Sequence, residues 1–284
     1  MKALVNFLNL IKFEHSVFAL PFALSGAMLA SVHGLPNLST TAWIVVACIG
    51  ARSFAMSINR VIDKDIDFKN PRTKAREIPS GVISTNQAIF FSIASAVIFF
   101  YGAWQLPKIC LLLFPVALFW FYVYPFTKRF TLLSHIWLGI ALGASPLAGW
   151  ISVTGKIDSV IPFILGIAVV FWVSGFDIIY ACQDYDFDKK NNLHSIPTKF
   201  GIKNALFISR IFHVTTIALL ILLGTLIQTS LVYWFCVIFV AGMLFYEQSL
   251  VKPNDLSKVN LAFFTLNGLI SVGFFIFILI EKIF

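Results

Sequence analysis

The sequence predicts an all-α, polytopic membrane protein with nine transmembrane helices. Three observations lead to this prediction: 59% of the 284 residues are hydrophobic, only 12% are charged, and long apolar segments recur from end to end. A soluble domain carries about twice this share of charged residues and could not bury so much apolar surface. The mean hydropathy of +0.88 agrees with the same class.

The apolar segments follow one another at the length that a helix needs to cross a bilayer, about 20 residues. They span residues 14–33, 41–60, 86–106, 109–126, 132–152, 159–180, 204–225, 228–250 and 259–281. Most connectors are short and contain Gly, Pro or Asn, which favour turns. Two connectors, 61–85 and 181–203, are long and polar. Glu14 and His15 interrupt the first segment, and further spans follow it, so we expect no cleavable signal peptide.

The distribution of Lys and Arg over the connectors predicts that the N-terminus lies in the cytoplasm. Fifteen of the 21 basic residues then lie on the cytoplasmic side, three lie on the opposite side and three lie within spans. This is the bias of the positive-inside rule, so the net charge of +8 reflects orientation and indicates no nucleic-acid partner. The four cysteines have no CxxC spacing, so we expect neither a disulfide framework nor a zinc site.

We expect one transmembrane domain over residues 1–284 that contains a faint internal repeat, about 1–130 and 131–250, followed by a last helix. An acidic cluster follows the second span and another follows the sixth. Each is followed by a short echo, Ile78–Gly81 in one copy and Ile196–Thr198 with Gly201 in the other. A duplicated four-helix unit would bring the two clusters face to face across one cavity, where repeat-built membrane proteins often bind ligands.

The two acidic clusters are the most informative feature, because six of the only 13 acidic residues fall within 63–67 and 184–188. Neighbouring carboxylates repel one another unless a cation lies between them. In the first cluster Asn59, Asp63 and Asp67 are four residues apart, so a helix that continues past the bilayer surface places them on one face. We expect Asp65, which points elsewhere, to be solvated.

The second cluster has matching spacing. Asp177, Tyr180, Asp184 and Asp188 follow one another at steps of three, four and four and also share a helical face, whereas Asp186 points to solvent. Carboxylates with water and phosphate oxygens form the usual ligand set of Mg²⁺ in phosphate enzymes. Two alternatives are helix caps and an EF-hand. The EF-hand is excluded because Phe68 and Lys189 occupy its glycine position.

Basic residues supply the second half of a predicted diphosphate site. Lys128 and Arg129 end a polar stretch on the cytoplasmic side, and Arg72 lies in the loop after the first cluster. Arginine and lysine neutralise phosphate oxygens, and arginine can bind two of them at once. Part of this charge also serves as a topology signal.

The combined pattern Asn59-Arg60-x-x-Asp63-x-x-x-Asp67 and Tyr180-x-x-x-Asp184-x-x-x-Asp188 resembles the signature of the UbiA superfamily of intramembrane prenyltransferases. The resemblance covers essentially the whole chain. Residues 70–73 and 124–129 resemble the 4-hydroxybenzoate polyprenyltransferase branch. The opening segment 10–21 looks closer to relatives tied to the futalosine route to menaquinone.

The resemblance implies nine helices around a central chamber and Mg²⁺-dependent transfer of a polyprenyl group from its diphosphate to an aromatic acid, 4-hydroxybenzoate. It implies a catalytic set in which Asp63 and Asp67 with Asn59 bind one Mg²⁺ and Asp184 and Asp188 bind a second, with Tyr180 lining the reacting zone. Lys128, Arg129 and Arg72 would bind the diphosphate that the two ions bridge.

The same resemblance implies a bacterial inner membrane protein with a cytoplasmic mouth, whose partners are its two substrates and the lipid bilayer. No obligatory protein partner is expected. Alternative acceptors remain, a dihydroxynaphthoate of menaquinone synthesis above all, and also haem or chlorophyll precursors. A secondary transporter is the alternative from another class, although transporter sites usually lie near the bilayer midplane and these acids lie at its cytoplasmic rim.

Overall fold

The computed structural model describes residues 7, 10–11, 18–32, 34–227 and 229–284. Glu14, His15 and half of the opening segment 10–21 lie outside these residues. The contacts between residues divide the chain into two compact units. The first unit comprises residues 1–16 and Leu38–Phe126, and the second comprises Val17–Asn37 and Thr127–Phe284.

The described residues form helices joined by turns, with one isolated β-bridge between Lys252 and Asp255. The α-helices are α1 (Leu20–Ala30), α2 (Leu38–Ile62), α3 (Lys64–Lys69), α4 (Thr85–Trp104), α5 (Lys108–Val123), α6 (Ser134–Thr154), α7 (Ile161–Ala181), α8 (Tyr185–Lys190), α9 (Ile196–Leu226), α10 (Leu231–Leu250) and α11 (Asn267–Ile283). Two 3₁₀ turns, Tyr124–Arg129 and Cys182–Asp184, and one π-helix, Leu261–Leu266, complete this part of the chain.

Eight helical segments among the described residues are long and apolar enough to cross a membrane, and α1 is a ninth, shorter apolar helix. The predicted all-α class is therefore confirmed, and eight full-length segments with the shorter α1 are consistent with the nine predicted helices. The central chamber and the internal repeat stay predictions.

In the first unit, α2 and α4 pack closely against each other. Gly50 makes this approach possible, because a Cβ atom at that position would collide with the backbone of Phe99. Ser92 donates a hydrogen bond to the Ser57 hydroxyl across the same contact, at 2.9 Å. Small residues and hydroxyl pairs are the usual means by which membrane helices associate, because lipid supplies no hydrophobic driving force between them.

The second unit has its core around α7, where Trp172 and Phe176 are buried together with Tyr233 and Phe274. The short helix α1 lies against α6, because Gly149 leaves room for the carbonyl group of Ala23. The last turn of α7, after Phe176, leads into the second acidic cluster, so the packing of this core fixes the position of that cluster.

The two long polar connectors contain short helical elements of their own. Residues 61–85 contain the helix α3, and residues 181–203 contain a 3₁₀ turn, the helix α8 and the first residues of α9. Ser195 caps α9 by accepting a hydrogen bond from the backbone N–H of Thr198. The helix then breaks at Gly201, whose φ of 77° and ψ of 159° are not helical. The membrane-crossing part of α9 consequently begins close to the predicted residue 204.

Candidate active site

The first acidic cluster lies where α2 passes into α3. The backbone N–H of Asp63 donates to the carbonyl oxygen of Asn59 at 2.9 Å, and that of Asp67 donates to the carbonyl oxygen of Asp63 at 2.8 Å. These are the i to i−4 bonds of an α-helix, so the helical ladder runs through the cluster. Asn59, Asp63 and Asp67 consequently lie along one side, whereas Asp65 is exposed, as expected.

The charge of Asp67 is balanced by neighbouring cations. Its side chain is buried, with a residue exposure of 5%, and both of its oxygens accept hydrogen bonds from Arg76 Nη1, at 2.7 and 2.8 Å. Arg60, also buried, has its Nη1 atom 4.0 Å from Asp67 Oδ2. Thr73 donates to the backbone carbonyl of Asp67 at 3.1 Å. The loop after α3 is thereby folded back onto the cluster.

The sequence pattern predicts a diphosphate-binding role for Arg72 in this loop, and it does not indicate that Arg76 is the partner of Asp67. Arg72 is exposed, and its backbone N–H donates to Asn70 Oδ1 at 2.9 Å. This turn at Asn70 directs the following residues back toward α3, which brings Arg76 rather than Arg72 to the carboxylate. Spacing along a helix could not reveal the pair, because the loop between the two residues is not helical.

The second acidic cluster has the same local backbone as the first. Asp63 has φ −94° and ψ 8°, and Asp184 has φ −97° and ψ 5°. Each of the two residues directly precedes a helix of six residues, α3 in one case and α8 in the other. Asp184 and Asp188 are buried, whereas Asp186 is exposed, as expected.

The predicted diphosphate-binding residue Lys128 contacts this second cluster. Its Nζ atom lies 3.7 Å from Asp188 Oδ2. Its backbone carbonyl accepts a hydrogen bond of 2.7 Å from the N–H of His194. Lys128 is therefore attached to α8 by its side chain and to the segment after α8 by its main chain, and Arg129, the last residue of the 3₁₀ turn, is exposed to solvent.

Tyr180 is half-buried and lies four residues before Asp184. Its ring stacks on that of Phe263, with 4.1 Å between the ring centroids and 29° between the planes. Phe263 belongs to the π-helix that precedes α11. The sequence pattern does not indicate this partner. The available signal is Asn267, a polar residue inside an apolar segment four residues after Phe263, which is typical of an irregular turn in a membrane helix.

His135, near the start of α6, is a residue that the sequence predicts to be a packing or interfacial residue and that the structure places beside the second cluster. It is fully buried, and its Nδ1 atom lies 2.6 Å from Asp177 Oδ2 on α7. The backbone N–H of Ile196 donates to His135 Nε2 at 3.4 Å, which makes Nδ1 the protonated nitrogen that donates to Asp177. His135 thus joins α7 to the start of α9, on either side of the second cluster.

The residues present fit Mg²⁺ that is shared with a phosphate substrate. Within the described ranges, no three His, Cys, Asp or Glu side chains gather to enclose a metal ion. Each cluster instead offers two carboxylates, and Mg²⁺ commonly takes one or two of these and completes its shell with water and phosphate oxygens. A carboxylate has about four lone-pair sites, so Asp67 can accept Arg76 and still bind a cation.

The family profile described as the UbiA prenyltransferase family matches residues 19–269. A protein from Vibrio atlanticus (strain LGP32) named 4-hydroxybenzoate octaprenyltransferase is 28% identical over 254 residues, 88% of each chain. A protein of the same name from Tolumonas auensis is 30% identical over 245 residues, 86% of this chain and 84% of that one.

Solved structures are similar over the same extent. The apo structure of a UbiA homolog from Aeropyrum pernix K1 has a TM-score of 0.86 and 31% identity, and the match covers 94% of this chain and 98% of that one. A UbiA homolog from Archaeoglobus fulgidus, solved with GPP and Mg²⁺, has the same fold, with a TM-score of 0.75 at 20% identity over 96% and 99% of the two chains. Profile, relatives and fold agree with the acidic signature, and the chain is therefore a member of the UbiA prenyltransferase family, an integral membrane transferase.

Proposed function

We propose that this transferase moves a polyprenyl group from polyprenyl diphosphate to a small aromatic acid, 4-hydroxybenzoate, with the help of Mg²⁺. The observation that carries the proposal is a pair of acidic clusters with matching backbones, in which Asp67, Asp184 and Asp188 are buried at the ends of membrane-spanning segments. The name of the curated relatives supports the acceptor, and the A. fulgidus homolog solved with GPP and Mg²⁺ supports the donor class.

In this proposal each cluster binds one Mg²⁺, through Asp63 and Asp67 with Asn59 in one and through Asp184 and Asp188 in the other. Bound Mg²⁺ would neutralise the donor's diphosphate and make it a better leaving group. Lys128, Arg129 and Arg72 bind the same group and offset the charge that develops on it as the carbon–oxygen bond breaks. Asp67 and Asp188 keep their oxygens oriented through their contacts with Arg76 and Lys128.

The acceptor completes the reaction with a carbon of its ring. Departure of the diphosphate with the bonding electrons leaves an allylic cation, and the ring carbon ortho to the phenol hydroxyl attacks it and then loses its proton. Tyr180 lines this zone and, with its stacked neighbour Phe263, presents aromatic surface that excludes water.

The membrane location suits a substrate with two different ends. Each buried CH₂ of a prenyl tail contributes about 0.8 kcal/mol to staying out of water, whereas the diphosphate must stay hydrated. We propose that the N-terminus and the mouth of the site face the cytoplasm and that the protein lies in the bacterial inner membrane. The excess of Lys and Arg in the connectors assigned to that side supports this orientation.

The test is an assay of the purified protein in lipid nanodiscs with geranyl diphosphate or a longer prenyl diphosphate. We expect pyrophosphate release that requires both Mg²⁺ and 4-hydroxybenzoate, and a prenylated acid as product. Competition with a dihydroxynaphthoate measures the acceptor preference, and preferential turnover of the naphthoate would assign the protein to menaquinone synthesis instead. Solute flux across vesicles without any pyrophosphate release would contradict the proposed reaction.

A further inference from the structure

The π-helix Leu261–Leu266 is an irregular element in the last membrane segment. Short π-helical turns are rare and frequently lie at functional sites. Here the turn is fastened by a side chain, since Asn267 Nδ2 donates to the backbone carbonyls of Ala262 at 2.9 Å and of Phe263 at 3.2 Å. The position of Phe263 therefore depends on Asn267.

Asn267 is itself held by two buried side chains from other helices. Trp172 Nε1 on α7 donates to Asn267 Oδ1 at 2.7 Å. Asn267 Nδ2 also lies 3.3 Å from Glu247 Oε1 on α10. Glu247 and Asn267 are both fully buried, and Glu247 Oε2 has no hydrogen-bond partner among the described residues. An ionisable side chain that is fully buried in a membrane segment costs free energy, and such residues are usually retained for function.

This network places Phe263 at the centre of an aromatic cluster. Its ring stacks on Tyr180 with 4.1 Å between centroids. The rings of Phe176 and Phe18 approach it at 5.2 and 6.0 Å. Tyr180 and Phe263 are only half-buried, unlike Phe176 and Phe18, so this part of the cluster is open beyond the packed core.

Aromatic faces carry negative electrostatic potential and attract cations, more strongly where water is excluded. Within this cluster, Tyr180 lies four residues before Asp184, one of the carboxylates proposed to bind Mg²⁺ and the donor's diphosphate. In the proposed reaction the C1–oxygen bond breaks with both electrons going to the diphosphate, and C1 becomes the positive end of an allylic cation. The charge therefore develops beside the diphosphate site.

We propose that Phe263 and Tyr180 form an aromatic wall that stabilises this allylic cation, and that Asn267, fixed by Trp172 and Glu247, is a positioning residue for Phe263. The inference rests on the proposed prenyl transfer. The wall holds the cation until the acceptor carbon forms the new carbon–carbon bond and releases its proton. If the wall is removed, water captures the cation instead, and a prenyl alcohol and a proton are the products.

The test measures the ratio of prenylated acceptor to prenyl alcohol for the purified protein in nanodiscs. This ratio does not depend on how much of each variant is folded. We expect Phe263→Leu to lower it roughly fivefold, the size of one cation–aromatic contact. Phe263→Tyr keeps the aromatic face and should retain the ratio. Phe277→Leu, a control in the same membrane segment whose ring packs on Phe239 at 5.8 Å, should leave it unchanged.

Asn267→Ala should lower the ratio in the same way, and the double variant with Phe263→Leu should be no worse than Phe263→Leu alone, since both act through one ring. Trp172→Phe, which removes one hydrogen bond and keeps the bulk, provides a milder variant should Asn267→Ala not fold. An unchanged ratio in Phe263→Leu, with active wild type, would overturn this inference alone. Wild type that releases no pyrophosphate from prenyl diphosphates would overturn the proposed function and this inference together.

Discussion

Asp63 and Asp184 occupy the same backbone conformation in the two acidic clusters, and each has an exposed acidic neighbour two residues later. We expect Asp63→Asn and Asp184→Asn each to reduce turnover by about a hundredfold or more, because an amide would replace a carboxylate that we propose as a metal ligand. Asp65→Asn and Asp186→Asn are matched controls that should keep activity. The measurement is Mg²⁺-dependent pyrophosphate release, and wild-type turnover in either of the first two variants would contradict the metal assignment.

Arg76 and Arg72 lie in one loop but have different neighbours, so their replacement should have different effects. Removing Arg76 leaves a buried Asp67 with Arg60 at 4.0 Å from its carboxylate, and we expect Arg76→Leu to cost about 2–3 kcal/mol, somewhat less than the loss of a fully buried pair. Arg72→Ala should weaken donor binding. Melting temperature in detergent measures the first effect and the KM for the donor the second, and an unchanged melting temperature of Arg76→Leu relative to wild type would exclude a structural role of Arg76.

Lys128 and Arg129 end one 3₁₀ turn, and the side chain of Lys128 reaches Asp188. The double variant Lys128→Ala with Arg129→Ala should raise the KM for prenyl diphosphate about tenfold or more, because two positive charges would leave the proposed diphosphate site. The exposed pair Lys189 and Lys190, replaced together by alanine, is the control for loss of the same charge elsewhere on the surface. Unchanged donor saturation in the first double variant would remove the pair from the site.

Among the elements, α9 depends on a backbone conformation that only glycine adopts readily. Gly201 has φ 77° and ψ 159°, and no atom lies within 4 Å of a Cβ built there, so any penalty comes from the backbone alone. We expect Gly201→Ala to cost about 1–3 kcal/mol. Gly242→Ala in α10 is the control, since it also has open space but no positive φ. Thermal unfolding in detergent measures both, and equal stability would show that α9 can straighten without strain.

The same element is joined to its surroundings by His135. The ring connects Asp177 on α7 with the first backbone N–H of α9, so one histidine fixes both sides of the second acidic cluster. Spacing along the chain showed Asp177 on the same face as Tyr180 and Asp184. It could not show the histidine, because the partners are 42 residues apart and meet only when α6 packs on α7.

At the scale of the whole molecule, the predicted nine crossings would place the two termini on opposite sides of the bilayer. With a cytoplasmic N-terminus, a C-terminal alkaline phosphatase fusion should be active and a C-terminal fluorescent protein fusion should be dark. A matched fusion after residue 130, in a connector assigned to the cytoplasm, should give the reverse pattern. The same readout at both positions would contradict the predicted orientation.

The sequence by itself determined the all-α class, the number and approximate positions of the membrane segments, and the two acidic clusters. These features are local, since segment length, hydropathy and spacing within one helix turn can be counted along the chain. Two of the glycines with positive φ, Gly81 and Gly201, are the two glycines of the echo.

Only the tertiary structure decided which side chains hold these clusters and the π-helix in place. Arg76 rather than Arg72 binds Asp67, Lys128 meets Asp188, and Trp172 binds Asn267 across 95 residues of chain. Such contacts arise when distant helices pack and buried polar groups must find partners within reach. The periodicity of residues along one helix cannot reveal these partners, because the geometry of the neighbouring helices determines which side chains meet.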